Sequence, residues 1–246
     1  MRLLVAITLV AGLAACNTDQ PVAPLSHDIT PTSDVRATGV YTYDVTITNL
    51  TTGQPLSPAI IVTHGPRVSL FKMGSVASAG VQLIAEDGDP SVALGMLTGA
   101  PGVYQAVATG APVHRIGGPG PNSLTIQITG DAERRLLSLA TMLICSNDGF
   151  AGIRNVALPT DDIPVSVSAY AYDAGTERNT ERDGDIVPPC FGIGPTTGTG
   201  GAGRIAERRT VRVHPGVNGD RDLSATLHAW SGAVAMVTIQ RLSNPT

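Results

Sequence analysis

The chain has 246 residues, of which 42% are hydrophobic and 15% charged, and its formal net charge is −4. This balance excludes a disordered chain, which combines low hydrophobicity with high net charge. Basic residues are scattered apart from Arg134-Arg135 and Arg208-Arg209. We therefore expect no nucleic-acid partner, because phosphate binding needs a concentrated positive field.

The first 16 residues have the pattern of an export signal. Arg2 precedes an uncharged run from residue 3 to 15, which ends in the lipobox-like Leu-Ala-Ala before Cys16. Such a run is typical of a signal peptide and is shorter than the roughly 20 residues of a membrane-spanning helix. We expect an exported cell-envelope lipoprotein, in the outer membrane or at the cell surface, that is attached to the membrane by a lipid on Cys16. An ordinary secretory signal is the alternative.

A polar tether and then a β-rich domain are expected after this signal. Residues 17–39 are rich in Pro, Ser, Thr and Asp and have no apolar period, which indicates a flexible tether. Residues 40–244 are expected to form one domain. Its first strand is predicted over residues 41–48, where Tyr, Val and Ile alternate with Thr and Asp, and its second over residues 59–64.

The residue pattern of the segment 76–110 differs from that of the strands and predicts a short helical insertion. Its apolar residues suit two short helices, the second capped by Asp89 with Pro90 at its first position. The alternating residues 124–129 then predict a further strand.

Later strands are predicted from apolar or alternating runs. Leu136–Ile144 is apolar enough for a buried strand, although a helix is the competing interpretation. Residues 165–172 alternate, 211–213 suggest a short strand, and 233–242 form the last. Seven or eight strands separated by turns predict an all-β fold, an antiparallel β-sandwich.

The cysteines other than Cys16 are candidates for a disulfide. Cys145 and Cys190 would close a loop of about 45 residues in an oxidising compartment. A buried free thiol at Cys145 is the alternative. The Gly- and Pro-rich stretch 188–203 has no Lys after its glycines, so a flexible loop is favoured over a phosphate-binding one.

Acidic residues follow two of the predicted strands. Asp148 lies just after the buried run, and Asp173 and Glu177 follow the alternating strand. Because strand ends of a sandwich cluster at two poles, these carboxylates could share one pole and hold a hard cation such as Ca²⁺. Gly175 would allow the tight turn between the last two, and Asp131 is a weaker fourth candidate. The competing interpretation is that Asp and Gly here only form turns.

Several of these segments together resemble the spondin N-terminal domain. Ser-Asn-Asp-Gly-Phe-Ala-Gly at 146–152 and Tyr-Asp-Ala-Gly-Thr-Glu at 172–177 are the most specific. Residues 43–51, 136–142, 212–216 and 233–239 also fit. The resemblance extends over about 41–243.

This resemblance implies a C2-like β-sandwich of a secreted protein that binds a divalent cation. It also implies that Asp148, Asp173 and Glu177 are the cation ligands. The family usually has Asp where this chain has Glu177, and its further Glu ligand falls near Thr129 here. These departures bear on how complete the coordination is.

Three functions follow as alternatives. The first is a binding or adhesion module with a calcium ion and a protein or glycan partner; the second is a secreted hydrolase; the third is a purely structural envelope protein. The chain has neither a Gly-x-Ser-x-Gly nucleophile motif nor a His-x-x-x-His pair. We therefore expect no enzyme.

Overall fold

The computed structural model describes residues 39–188, 190, 193 and 201–242. The predicted signal peptide, the lipid acceptor Cys16 and the predicted tether up to residue 38 lie outside the described residues. Among the helices that are described, none is both long enough and apolar enough to cross a membrane.

Nine strands and three α-helices make up the described part of the chain. The strands are β1 Tyr41–Asn49, β2 Ile60–His64, β3 Val103–Ala108, β4 Ser123–Gly130, β5 Leu136–Met142, β6 Gly149–Ala157, β7 Val165–Asp173, β8 Arg212–Val213 and β9 Ala235–Arg241. The helices are α1 Ala79–Asp87, α2 Ser91–Leu97 and α3 Ala225–His228, and Asp183–Asp185 form a 3₁₀ turn.

All the strand pairs are antiparallel, and the strand order is β3-β2-β5-β6-β7-β9-β1-β4, with β8 added beside β7. Strand β7 turns the corner of the fold. Its residues 165–169 pair with β9, and its residues 170–173 pair with β6. The predicted all-β antiparallel fold is confirmed.

The two ends of this strand order approach each other, so the sheet is nearly closed. The Thr63 hydroxyl of β2 donates to the Thr129 carbonyl of β4 at 2.6 Å, and the Gln105 side chain of β3 accepts from the Thr129 amide, also at 2.6 Å. The alternation in β1 explains which side faces inward. Its residues Tyr43, Val45 and Ile47 are buried in the main core, as their period of two requires.

The predicted helical insertion is confirmed in part, since α1 and α2 are present but residues 103–108 form β3. These residues pair with β2, and long-range pairing of this kind leaves no clear local pattern. Asp89 accepts a hydrogen bond from the Ser91 amide at 2.8 Å, but α2 begins at Ser91, so Pro90 occupies the N-cap and not the first helical position that was predicted for it.

Strand β6 is also absent from the predicted set, because its Gly-Phe-Ala-Gly start is typical of a loop. Gly152 is a glycine for packing reasons instead. A Cβ at this position would lie 2.7 Å from two ring carbons of Phe71, so a side chain here would displace the ring. The apolar run before it forms β5, so the strand interpretation of that run is confirmed over the helical one.

Candidate metal centre

The loops after β5 and β7 lie together at one pole of the fold. Gly149, at the start of β6, pairs with Asp173, at the end of β7. The Asp148 carboxylate reaches across and accepts hydrogen bonds from the backbone amides of Thr176 at 2.8 Å and Glu177 at 3.0 Å. Asp148, Asp173 and Glu177 are therefore neighbours at the same pole.

All three carboxylates are withdrawn from water. Asp148 and Asp173 are fully buried and Glu177 is 1% exposed. Among the described residues, Asp148 Oδ1 and Glu177 Oε2 have no hydrogen-bond partner. Buried polar atoms are normally paired, and a buried unpaired charge is costly. Asp148 Oδ1 has no ion-pair partner among the described residues either, whereas Glu177 Oε2 lies 3.5 Å from Arg204 Nε. A hard cation would satisfy both oxygens.

Asp173 is held more tightly than the other two. Its Oδ1 accepts from the Gly175 amide at 2.8 Å, and its Oδ2 accepts from Asn179 at 2.6 Å and Arg212 at 2.7 Å. Gly175 has φ +74°, and a Cβ there would lie 2.7 Å from the backbone of Arg209. Only glycine suits this turn, which sets the direction of the chain between Asp173 and Glu177.

Glu177 lies between an amide and a second arginine. Its Oε1 accepts from Asn147 Nδ2 at 3.3 Å, and its Oε2 lies 3.5 Å from Arg204 Nε. Arg204 also pairs with Asp87 at 2.6 Å. The charge of Arg204 is therefore shared between Asp87 and Glu177, so it neutralises the Glu177 carboxylate only in part.

Burial makes each of the three carboxyls harder to ionise. Desolvation, followed by the charge of Asp173, raises the pKa of Asp148 to about 6. Desolvation raises the pKa of Asp173 in spite of Asn179 and Arg212. Desolvation also raises the pKa of Glu177 to about 8, and the charges of Glu86 and Asp148 add to it. At neutral pH the cluster therefore favours a bound proton or a bound cation.

The carboxylates surround the pole without forming a compact coordination sphere. Among the described residues, one set of three Cys, His, Asp or Glu side chains has all its ligand atoms within 4.8 Å, and it is Cys145, Cys190 and His228. The carboxylate trio is not such a set. At least one of the three side chains must turn toward the others before they can share one ion, because Ca²⁺–oxygen distances are about 2.3–2.6 Å.

The Cys145–Cys190–His228 set is not a metal site. Cys145 and Cys190 are joined in a disulfide, with an S–S distance of 2.34 Å and a Cα–Cα distance of 5.1 Å. Neither sulfur is available as a thiolate ligand. The Nε2–H of His228 donates to the Ile193 carbonyl at 2.6 Å, and its Nδ1 accepts from the Ser224 amide at 2.9 Å.

Asp131, the weaker fourth candidate, and Thr129, where the family's further Glu ligand falls, both lie in other contacts. The hydroxyl of Thr129, on β4, bonds Gln105 at 2.8 Å, where β3 and β4 approach each other. Asp131 pairs with Arg134 at 2.5 Å and accepts two amides of its own turn. Within the described part of the chain, neither Thr129 nor Asp131 makes a hydrogen bond or ion pair with the acidic pole, that is, with Asp148, Asp173 or Glu177.

The surrounding polar residues were not identified from the sequence. Asn147 precedes Asp148 and Asn179 follows Glu177, so their closeness in sequence was the available signal. Arg204 and Arg212 come from more distant segments, and no pattern in the sequence points to them.

The chain is similar to a known protein family. The family model described as Spondin_N matches residues 48–182. No curated protein matches the chain. The matched range begins at the last two residues of β1 and ends after β7. It contains Asp148, Asp173 and Glu177.

Proposed function

Because the chain belongs to the Spondin_N family, we propose that its domain is a binding module that holds a divalent cation at Asp148, Asp173 and Glu177. The observation that supports this most is that two buried carboxylate oxygens from separate loops, Asp148 Oδ1 and Glu177 Oε2, accept no hydrogen bond among the described residues, and only the second has an ion-pair partner, Arg204 at 3.5 Å. Asn179 Oδ1 is a third buried oxygen without a hydrogen-bond partner among the described residues. Oxygen donors of this kind suit a hard cation.

Calcium is the ion that this donor set fits best. Ca²⁺ accepts six to eight oxygens in loose geometry, whereas Mg²⁺ demands a near-ideal octahedron. A pole whose carboxylates must still adjust their positions favours the more tolerant ion. When bound, the ion would supply positive charge between the loops. The residues of the chain hold those loops in place, since Asp148 bonds the amides of Thr176 and Glu177.

Calcium is expected to stabilise the protein against heat. At about ten times its Kd, a ligand that binds only the folded state adds about 1.4 kcal/mol, which raises the Tm of a chain of this size by about 3–6 °C. Differential scanning fluorimetry with added Ca²⁺ measures this shift. Asp173→Ala should show no shift, and Asp131→Asn, a loop carboxylate outside the pole, should keep it. A wild-type Tm unchanged at millimolar Ca²⁺ contradicts the proposal.

The envelope location is a separate part of the proposal. It is supported by the residue pattern that ends at Cys16, where small residues precede a cysteine at the depth of a bacterial lipobox. A lipid there would hold the module at a membrane surface, with the following polar residues as a tether.

Cells that express the full chain are expected to incorporate labelled palmitate into it. The Cys16→Ser variant should lose the label completely, because the acceptor thiol is gone. Autoradiography of the purified chain measures this, and Cys145→Ser serves as a control that keeps Cys16 intact. A Cys16→Ser chain that is still labelled, or a wild type without label, rules out this anchor.

Hydrolase activity is not favoured by the serine and histidine contacts of the described residues. His64 Nε2 lies 2.8 Å from Ser138 Oγ, but both residues are fully buried between β2 and β5. Ser146 Oγ donates to the Leu143 carbonyl at 2.6 Å and accepts from the Gly149 amide at 3.0 Å. These hydroxyls stabilise the backbone rather than face a substrate, so we propose a non-catalytic module.

A further inference from the structure

A surface groove of about 760 Å³ lies beside the acidic pole and gathers basic residues that are scattered in the sequence. Its size is within the range of about 300–1,000 Å³ that ligand sites occupy. Five of the chain's 16 basic residues line it: Arg178, Arg182, Arg209, Arg212 and Arg221.

Three of these arginines are available to a ligand. Arg178, Arg182 and Arg221 are exposed, and no carboxylate of the described residues lies within ion-pair distance of them. Arg209 is paired with Glu207 at 3.0 Å. An exposed unpaired guanidinium has its planar donor fork free to bind a carboxylate or a phosphate.

Glu181 is one of the acidic residues that line the groove, and its carboxylate is bound by backbone amides. The Glu181 carboxylate is 6% exposed and accepts the backbone amides of Asn218 at 2.6 Å, Gly219 at 2.8 Å and Asp220 at 3.1 Å. Its charge is satisfied by these three donors. The groove therefore presents positive charge on a protein whose net charge is negative.

An aromatic depression of about 310 Å³ adjoins the groove and shares Val213 and Pro215 with it. Tyr170 and Trp230 line this depression, and Tyr170 is 52% exposed. Exposed aromatic rings offer a flat apolar face with a polar edge, onto which the C–H face of a sugar ring can stack.

We propose that this surface, the groove together with the aromatic depression, binds an acidic polysaccharide with one carboxylate on each sugar ring. Such a polymer carries sparse negative charge and many hydroxyls. The arginines would bind its carboxylates, and Asn179, Thr180 and Asn218 could bond its hydroxyls. Densely charged phosphate polymers fit less well, because Glu207 and Asp220 also line the groove. This inference rests on the binding role proposed above but does not require the cation.

The test measures binding of the full chain to immobilised polygalacturonate by biolayer interferometry. EDTA is present throughout, because the polymer itself chelates Ca²⁺, so a failed cation site would leave this result unchanged. Wild type is expected to bind, and the R178E/R182E/R221E variant should bind about tenfold more weakly or worse. R67E/R135E/R208E is the charge-matched control, since these three arginines are also exposed but do not line the groove. Tyr170→Ala should also weaken binding.

Three results would overturn the inference. The first is no binding of wild type to the polyuronate at low ionic strength. The second is equal weakening by R67E/R135E/R208E and by R178E/R182E/R221E, which would indicate a general charge effect. The third is binding to polyphosphate or single-stranded DNA that is as tight as binding to polygalacturonate, which would make the groove a phosphate site. A circular dichroism melt checks that each variant is folded.

Discussion

Asp148→Asn is expected to stabilise the metal-free protein at neutral pH and to abolish its response to Ca²⁺. The Asn carbonyl oxygen can still accept the amides of Thr176 and Glu177, which Asp148 Oδ2 accepts in the wild type. Its amide nitrogen replaces Oδ1, which has no hydrogen-bond partner among the described residues and lies near the charge of Asp173. The substitution therefore keeps the local hydrogen bonds and removes a buried charge.

The direction of this effect follows from the pKa of Asp148. Its pKa is raised by burial from 3.8 to about 6 in the folded protein. The stability that this proton supplies is fully present below about pH 4 and is lost as the pH rises through about 6. The wild type thus has the full cost of the charge at pH 7, which is roughly 3 kcal/mol for a shift of this size. The Asn variant does not.

Urea unfolding in EDTA at several pH values measures the difference between Asp148→Asn and wild type. The variant should be more stable by roughly 3 kcal/mol at pH 7, and its advantage should shrink toward zero near pH 4. Comparing the two proteins at each pH cancels the titration of groups that do not interact with the charge of Asp148, such as His214, whose pKa is lowered to about 4 by burial.

Asp131→Asn is a control for which the expected change in stability has the opposite sign. Burial raises the pKa of Asp131, but hydrogen bonds from Arg134 and Glu133 lower it further, to below its usual value. Its charge therefore stabilises the fold at neutral pH, and the Asn variant should be less stable than wild type. If Asp148→Asn also destabilises the metal-free protein at pH 7, the claim that Asp148 carries an uncompensated buried charge is refuted.

Removal of the disulfide is expected to cost about 4 kcal/mol of unfolding free energy. The bond joins residues separated by 45 positions, and in the chain-entropy model a closed loop of this length costs the unfolded state about that much. Cys145 also lies three residues before Asp148, and its amide donates to Gln54 Oε1 at 3.0 Å. The bond therefore anchors the turn that presents Asp148.

The C145A/C190A variant tests this in urea without reductant. It should unfold at a lower urea concentration than wild type, with the full loss of about 4 kcal/mol. Wild type should lose most of the same amount when dithiothreitol is added, and the variant should not respond. A wild type that is indifferent to dithiothreitol, with two thiols that react after denaturation without reductant, would show instead that Cys145 is a buried free thiol.

The strands that were predictable from sequence are those with local alternation. In β1, Tyr43, Val45 and Ile47 face the core while Asp44 and Thr46 between them are only half-buried, and this period is visible in the sequence alone. Strands β3 and β6 lack it. Strand β3 is fixed by its pairing with β2, and Gly152 of β6 makes room for Phe71. Both causes are contacts between distant segments, which a local pattern does not contain.

The acidic pole was partly predictable because two of its carboxylates follow strands with a clear local pattern. Asp148 and Asp173 each follow a recognisable strand, so their shared pole follows from antiparallel topology. Arg204 and Arg212, which face Glu177 and Asp173, come from segments without a clear pattern. The basic groove was missed entirely, because its arginines at 178–182, 209–212 and 221 are brought together only by the folding of the loops around β8.

Calorimetric titration of Ca²⁺ into the metal-free protein tests the cation site most directly. The wild type is expected to bind one ion with measurable heat and to release protons at pH 7, because the pKa of Glu177 is raised to about 8. Asp148→Asn should give no binding heat. A wild type that gives no heat, or an Asp148→Asn variant that binds as the wild type does, contradicts the claim that these carboxylates jointly hold a cation.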